Sequence, residues 1–512
     1  MKKLLVPLLL ILSFLPLQSP AQKRAALPKV AAKPIVKAQV QYEIPIVTKT
    51  LANGLEVIVL ADSSIPLVTV ELAVRNGSFT EPPEFNGLSH LFEHMFFKAN
   101  LAVRLMQCEN APPANRFSSN YLARCSEALK LKPQIGDLAY LKDSGQLGFA
   151  NGTTREEVVN YFYTVTSPYL AAAIKQINDS VRYPAFDETD FANEKQVVIA
   201  ELDRHEANPY QYLDLTMREK LFYKYPTRKT PGGTRTTVAA ATTEQMRLIQ
   251  SRYYVPNNAA LVVTGDVKPE EVFRLAEQSL GNWERRKVDP FKEFPLVEHP
   301  PLTKSEGIFL EKTAEQSQQD SGENAIIMIG WQGPSIGKDD AATYAADVFS
   351  YIITQPDSRF QRNLVDSGLA ASVNFGYYTQ RNVGPINLFM VTTPDKAKAA
   401  LKAAYAEVAA FTDPAYFTDE ELTSAKTILE SNDLFDREKL SEYSHTLGFW
   451  WSSTGIDYFR GYHRNLRASS RADINKYLQT YVQGKPRVAL ALLTPSAKQQ
   501  ANLTEQDLTG GK

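Results

Sequence analysis

Apolar residues along this chain recur at two different periods. Alternation predicts strands over Ile46–Leu51, Leu55–Leu60 and Leu67–Val74. The first two meet across Asn53-Gly54, a pair that favours a hairpin because both residues tolerate positive φ. After a polar loop with Pro82, Pro83 and Asn86 the period becomes helical, with Leu88, Leu91, Phe92, Met95 and Phe96 on one stripe. Val158–Val165 reads as a strand. Ser167-Pro168 opens a helix with Leu170, Ile174, Ile177 and Val181 turned inward. Asp187 or Thr189 caps a further helix through Phe191, Val197, Val198 and Leu202, which Asn208-Pro209 stops. Thr242-Thr243-Glu244-Gln245 is a capping-box start for a helix to Tyr253. An apolar strand, Ala259–Thr264, a Gly265-Asp266 turn and a helix, Pro269–Leu280, follow. Between Asn100 and Leu147 the pattern blurs. Pro112-Pro113 and scattered apolar groups predict an irregular segment with one helix near Ser126–Leu131, and long segments of this kind are more often functional than inert.

The second half repeats the plan of the first. Met246–Val263 and Asn475–Leu493 are each a helix ending in Tyr-Val, a polar turn with Pro and an apolar strand, which implies internal duplication. Pro290, Pro295, Pro300 and Pro301 among charges mark 284–306 as a linker. The expected division is therefore residues 45–283, carrying an insertion at about 100–147, the linker at 284–306, and a homologous domain at 307–500. The fold class is α+β: two homologous halves of sandwich type, each a mostly antiparallel sheet covered by helices.

A length of 512 residues suits two to four domains. With 44% hydrophobic and 22% charged residues the chain reads as globular, and a net charge of −1 gives no electrostatic case for nucleic acid or an anionic membrane. Lys2 and Lys3 precede an apolar run from Leu4 to Leu17, with Ser19-Pro20-Ala21 as a cleavage site. This predicts a signal peptide over 1–21, an exposed arm over 22–44, and an exported, periplasmic bacterial protein with no membrane span after cleavage. Cys108 and Cys125 are the only cysteines. Paired in an oxidising compartment they would close a loop worth about 3 kcal/mol in the entropy model; two free buried thiols fit the pattern equally.

The chemistry lies on the helix beginning at Gly87. His90, Glu93 and His94 fall off its apolar stripe and share a second face, since residues three and four apart are neighbours on a helix. Two imidazoles one turn apart can bind one Zn²⁺, and a carboxylate between them can take a proton from water; His-x-x-Glu-His is the inverted zincin arrangement. Catalytic zinc needs a third protein ligand and an open position. Glu194 and Glu201, seven apart, lie on one face of the next helix. Glu201 is a candidate ligand and Glu194 a candidate to orient an imidazole, although two solvated carboxylates have the same spacing. The segment matching the metal helix in the second half, Ala341–Ile353, contains no His. His299, His445 and His463 stand alone as structural or surface residues.

With these residues in place, the chain resembles the pitrilysin/insulinase family of zinc metallopeptidases, and most of all its short, processing-peptidase-like bacterial members. The resemblance rests on GLSHLFEHMFFK (Gly87–Lys98), FANEKQVVIAEL (Phe191–Leu202) and YVPNNAALVVTGD (Tyr254–Asp266). It implies that His90, His94 and Glu201 hold one Zn²⁺ per chain, that Glu93 is the general base, and that Glu194 orients a ligand. It also implies that Asn151 holds the substrate backbone near the metal. Two departures stand out. The interval from His94 to Glu201 is longer than the family's usual one, the excess falling in the segment with both Cys. Where the family has an Arg and a Tyr that bind substrate, this chain has Val365 and Ala371, with Arg362 and Tyr377 off register. The resemblance further implies a clamshell half acting as the catalytic subunit of a heterodimer, whose homologous partner supplies Arg and Tyr, with a homodimer as fallback. Peptides would add a strand to a sheet edge, expected at Val158–Val165. The competing expectation is a non-catalytic structural or peptide-binding member of the same fold.

Overall fold

The computed structural model describes residues 44–511 apart from 117 and 321–322. The expected signal peptide, and all but the last residue of the expected arm, lie outside the described residues. The first strands match the alternation in the sequence: β1 (Ile46–Thr50), β2 (Glu56–Ala61) and β3 (Leu67–Val74). Helix α1 (Leu88–Phe96) follows, then α2 (Leu101–Glu109) and α3 (Ser119–Lys130). Next come β4 (Phe149–Thr154), β5 (Val159–Thr166), α4 (Leu170–Arg182), α5 (Glu188–Ala207), α6 (Pro209–Leu221), α7 (Thr243–Tyr253), β6 (Ala259–Gly265) and α8 (Pro269–Leu280). The rest comprises β7 (Glu306–Glu311), β8 (Ala325–Gln332), α9 (Asp340–Thr354), β9 (Ser372–Tyr377), β10 (Pro385–Thr392), α10 (Ala397–Ala410), α11 (Asp419–Asp436), α12 (Leu440–Ser453), α13 (Ile456–Ala468), α14 (Arg471–Tyr481) and β11 (Val488–Leu493).

Two mixed sheets result. The first has strand order β1-β2-β6-β3-β5-β4 and the second β7-β11-β8-β10-β9. Each has one parallel pair (β2 with β6, β7 with β11), and its other neighbouring strands run antiparallel. Strand for strand the orders coincide, with β1 the one addition. Both sheets are mixed helix-and-sheet layers, in keeping with the α+β expectation.

One face of the first sheet, with Val68, Val70, Leu72 and Val74, packs on Leu91, Phe92, Met95 and Phe96 of α1 and on Ile174 and Ile177 of α4. Its back face, with Ile58, Ala73, Ala260 and Val262, is covered by Tyr443, Leu447, Trp450 and Trp451 of α12, a helix contributed by the second half of the chain. The exchange is mutual. Leu213, Met217 and Leu221 of α6 cover Ile326, Met328, Leu490 and Leu492 on the back of the second sheet. Covering on both faces explains why every residue of β6 is buried and why its sequence is apolar without alternation.

Two expectations change here. The 100–147 segment is largely helical. Asn100 caps α2 by accepting from the N–H groups of Ala102 and Val103, and Ser118 caps α3 by accepting from Tyr121 N–H. Cys108 and Cys125 are disulfide-bonded, tying α2 to α3. Leu101, Leu105, Ala128, Ile135 and Leu141 form a small core of their own with Tyr183 and Ala185. The Pro112-Pro113 pair marks the turn between two helices and does not extend through a long loop. Second, Val159–Thr166 is flanked on both sides, by β3 and β4, so it offers no free edge; the outermost strand is β4.

Candidate metal centre

Helix α1 is fixed before its functional face is considered. Gly87 stands at its N-cap in the left-handed region (φ 96°) and has no side chain to cap with. The buried Glu81 does that work: its carboxylate accepts from Gly87 N–H (2.8 Å), Ser89 N–H (2.6 Å) and the Asn86 carboxamide (3.3 Å). Burial raises the Glu81 pKa above the usual carboxylate range, against the pull of these bonds. On the apolar side, Phe92 stacks on Tyr254 and Phe96 on Tyr161, each with ring centroids 3.9 Å apart. The two tyrosine hydroxyls share a 2.7 Å hydrogen bond behind them. A helix held this firmly presents its opposite face with little freedom.

That face carries His90, Glu93 and His94. Facing it is α5, capped by Asp187 accepting from Thr189 and Asp190 N–H, and anchored by buried Phe191, Val198 and Leu202. Glu194 and Glu201 therefore lie opposite the imidazoles. Glu201 Oε2 is 3.5 Å from His90 Nε2 and 3.5 Å from His94 Nε2. One ligand atom from each of the three residues lies within 4.8 Å of the others, so the trio could hold a metal ion. For bonds of about 2.1 Å the ligand–ligand edge of a tetrahedron is about 3.4 Å, close to the spacing found. His94 Nδ1 bonds Glu194 Oε2 at 2.8 Å, fixing the ring, and Lys98 pairs with the other Glu194 oxygen. Arg204 lies 3.4 Å from Glu201 Oε1.

The electrostatics also suit a cation. Burial, aided by His94, lowers the His90 pKa to about 4, leaving a neutral imidazole. Its Nδ1 is buried without a hydrogen-bond partner among the described residues. Burial opposes charge on His94 too, but its bonds to Glu201 and Glu194 prevail and raise its pKa to about 9. Glu201 and Glu194 both lie below the usual carboxylate range: burial pushes each up, and the neighbouring cationic groups outweigh it. Burial raises Glu93 to about 7, partly offset by Thr154 and His94.

Five of the six residues singled out by sequence are brought together. The sixth, Asn151, is close in the chain but turned away. Gly152 and Thr154 of β4 face α1: a Cβ on Gly152 would come within 2.7 Å of Glu93 Cγ, and the Thr154 hydroxyl donates to Glu93 Oε2 at 2.7 Å. By strand alternation the intervening side chain points to the other face, where Asn151 lies opposite Phe162 and its carboxamide oxygen accepts from Gly152 N–H (2.9 Å). Arg362 and Tyr377 are committed elsewhere, Arg362 to the Asp357 carbonyl and Tyr377 to the Pro334 carbonyl (3.0 Å). Sequence reasoning missed Thr154, Lys98 and Glu81. Lys98 follows His94 at helical spacing and Thr154 alternates with Gly152, so both left a trace. Glu81 left none.

Comparison with known proteins gives the same picture. A family model described as Insulinase (Peptidase family M16) matches residues 56–104, which include α1, and one described as Peptidase M16 inactive domain matches 240–429. An uncharacterized zinc protease of Bacillus subtilis, YmxG, is 23% identical over 342 residues, 66% of this chain and 72% of that protein. The fold is that of a Helicobacter pylori protease (TM-score 0.71, 19% identity, 87% of this chain and 99% of the other). It also matches the periplasmic protease PqqL of Escherichia coli (TM-score 0.62, 15% identity), covering 95% of this chain but 50% of that one. Among the described residues no helix is long and apolar enough to cross a membrane. The paired sheets and these matches agree, and they support a pitrilysin/insulinase-type M16 family member.

Proposed function

We propose that this chain is an exported zinc-dependent endopeptidase that hydrolyses peptides or unfolded segments. The observation that carries the reading is the convergence of His90, His94 and Glu201, with Glu93 on the same helix face. One Zn²⁺ per chain would be held by those three, with Glu194 orienting His94. Bound zinc supplies Lewis-acid polarisation of a carbonyl and acidification of water. Glu93 takes the proton as water adds to the peptide carbonyl, then delivers it to the departing amine. The substrate backbone would extend β4, whose outer edge pairs with no other strand among the described residues, with the main chain of Asn151 in contact.

Residues 45–283 would be the metal-binding domain and 307–500 its homologous companion, joined by 284–306. Val365 and Ala371 stand where the family has substrate-binding Arg and Tyr, and PqqL is about twice as long as the part matched here. Both support a heterodimer in which a homologous chain closes the clamshell and supplies those donors, with a homodimer as fallback. The basic and apolar start of the sequence, and the periplasmic PqqL, support a periplasmic location. The lack of Arg and Tyr also favours one second reading: a structural or peptide-binding member that does not cut.

Glu93→Gln separates the two. Cleavage of a quenched, unstructured peptide, assayed with the chain alone and with its homologous partner, should fall 10²-fold or more in the variant, roughly the scale of a lost general base. Equal behaviour of wild type and Glu93→Gln would favour the binder.

A further inference from the structure

Glu93 is gripped from the sheet edge. Thr154 O–H donates to Glu93 Oε2 at 2.7 Å, and the Thr154 main-chain N–H is directed at the same carboxylate. Two residues earlier on the same face of β4, the aliphatic stem of Glu93 fills the place where Gly152 lacks a side chain. Strand alternation makes these two positions a matched pair: one leaves room for the stem and the other holds the head. Behind them β4 is registered on β5, with Gly152 opposite Tyr161 and Thr154 opposite Val159. Tyr161 in turn stacks on Phe96 of α1, so strand and helix share one support.

We infer that Thr154 is a positioning residue for the reaction proposed above, holding the Glu93 carboxylate in the orientation from which it exchanges a proton with the substrate. The inference rests on the peptidase reading. A carboxylate on a flexible stem has several rotamers, and a donor on a fixed strand removes the unproductive ones before substrate arrives. The same strand offers the free edge, so a peptide seated on β4 would meet a base already oriented by that strand.

Thr154→Val keeps the size and removes the hydroxyl; Thr154→Ser keeps the hydroxyl. In the peptide assay Thr154→Val should lower kcat about 10- to 100-fold, the range for a misplaced catalytic group. KM and bound zinc should be unchanged, and Thr154→Ser should stay within about threefold of wild type. Crystal structures should show the Glu93 carboxylate displaced or disordered in Thr154→Val and unmoved in Thr154→Ser. Peptide affinity measured in a Glu93→Gln background should not change when Thr154→Val is added. Wild-type kcat in Thr154→Val, or a loss confined to KM or zinc content, overturns the inference. Inactivity of wild-type protein would instead count against the peptidase reading, and an unmoved Glu93 in the Thr154→Val structure would then overturn the inference by itself.

Discussion

Helices α1 and α9 occupy the same place in two halves of matching strand order, α1 between β3 and the edge strand β4, α9 between β8 and the edge strand β9. Each faces a second long helix, α5 or α11. The first pair holds two imidazoles and two carboxylates between its members. In the second, Tyr351 accepts from Asn432 (3.2 Å), Gln355 donates to the Glu421 carbonyl (3.2 Å), and Ser350 and Thr354 bond back to their own helix. Most of α9 is buried apolar surface, including Ala345, Val348, Phe349, Ile352 and Ile353. Each helix nonetheless keeps one carboxyl that burial raises to about 7, Glu93 on α1 and Asp347 on α9. Among the described residues Asp347 accepts from the Tyr462 hydroxyl alone, at 2.6 Å, within a cluster of tyrosines. The same scaffold thus serves once as a packed wall and once as a site where charges are held together against their preference. The difference lies in what four or five side chains ask for, not in the backbone.

The comparison can be broken most decisively with metal. At a zinc concentration about 1,000 times Kd, wild-type protein should gain roughly 4 kcal/mol of stability. His90→Ala should gain almost none, and a chelator should erase the difference; thermal unfolding with and without zinc reads this. A similar zinc gain in His90→Ala would mean that the ion binds outside the α1/α5 face. Next in size is Glu194→Ala, which frees the His94 ring. Zinc affinity should weaken about 10- to 100-fold by chelator competition, and an unaltered affinity would reduce Glu194 to a partner of Lys98. The smallest effect sharpens the contrast from the other side. The Asp347 pKa is raised from 3.8 to about 7 in the fold. Between those values the folded protein binds a proton that the unfolded chain does not, so stability declines as pH rises through that window. Asp347→Asn should remove the decline and exceed wild type by about 1–3 kcal/mol at pH 8 while matching it near pH 4. Parallel pH profiles for the two proteins would show that Asp347 titrates normally.

What could be read from sequence divides along physical lines. Helix α1, the strands β1 to β3 and β6, and the seven-residue spacing of Glu194 and Glu201 are local, and periodicity reports them directly. Strand β4 escaped because Phe-Ala-Asn-Gly-Thr-Thr has weak β-propensity and alternates without a clear apolar face; its place at the sheet edge asks for none. Without β4, the partnership of Thr154 with Glu93 was out of reach, and β5 passed for an edge. Helix α2 was hidden, and of α3 only the end near Ser126–Leu131 showed, because caps at Asn100 and Ser118 and a disulfide hold them in place of a long apolar stripe. The exchange of α6 and α12 is beyond periodicity altogether. A stripe such as Tyr443, Leu447 and Trp451 declares that it is buried, not which sheet buries it.

That exchange has a consequence for how the chain comes into being. The first sheet has all its strands once Gly265 has been made, yet its back cover, α12, begins at Leu440. At ribosomal rates of about 5–20 residues per second, the 175 residues between them (440 − 265) take roughly 10–35 s. Throughout that interval Ile58, Ala260 and Val262 have no native cover. The nascent first half is therefore a client for whatever holds unfinished chains in solution, and it becomes independent only when nearly the whole protein exists.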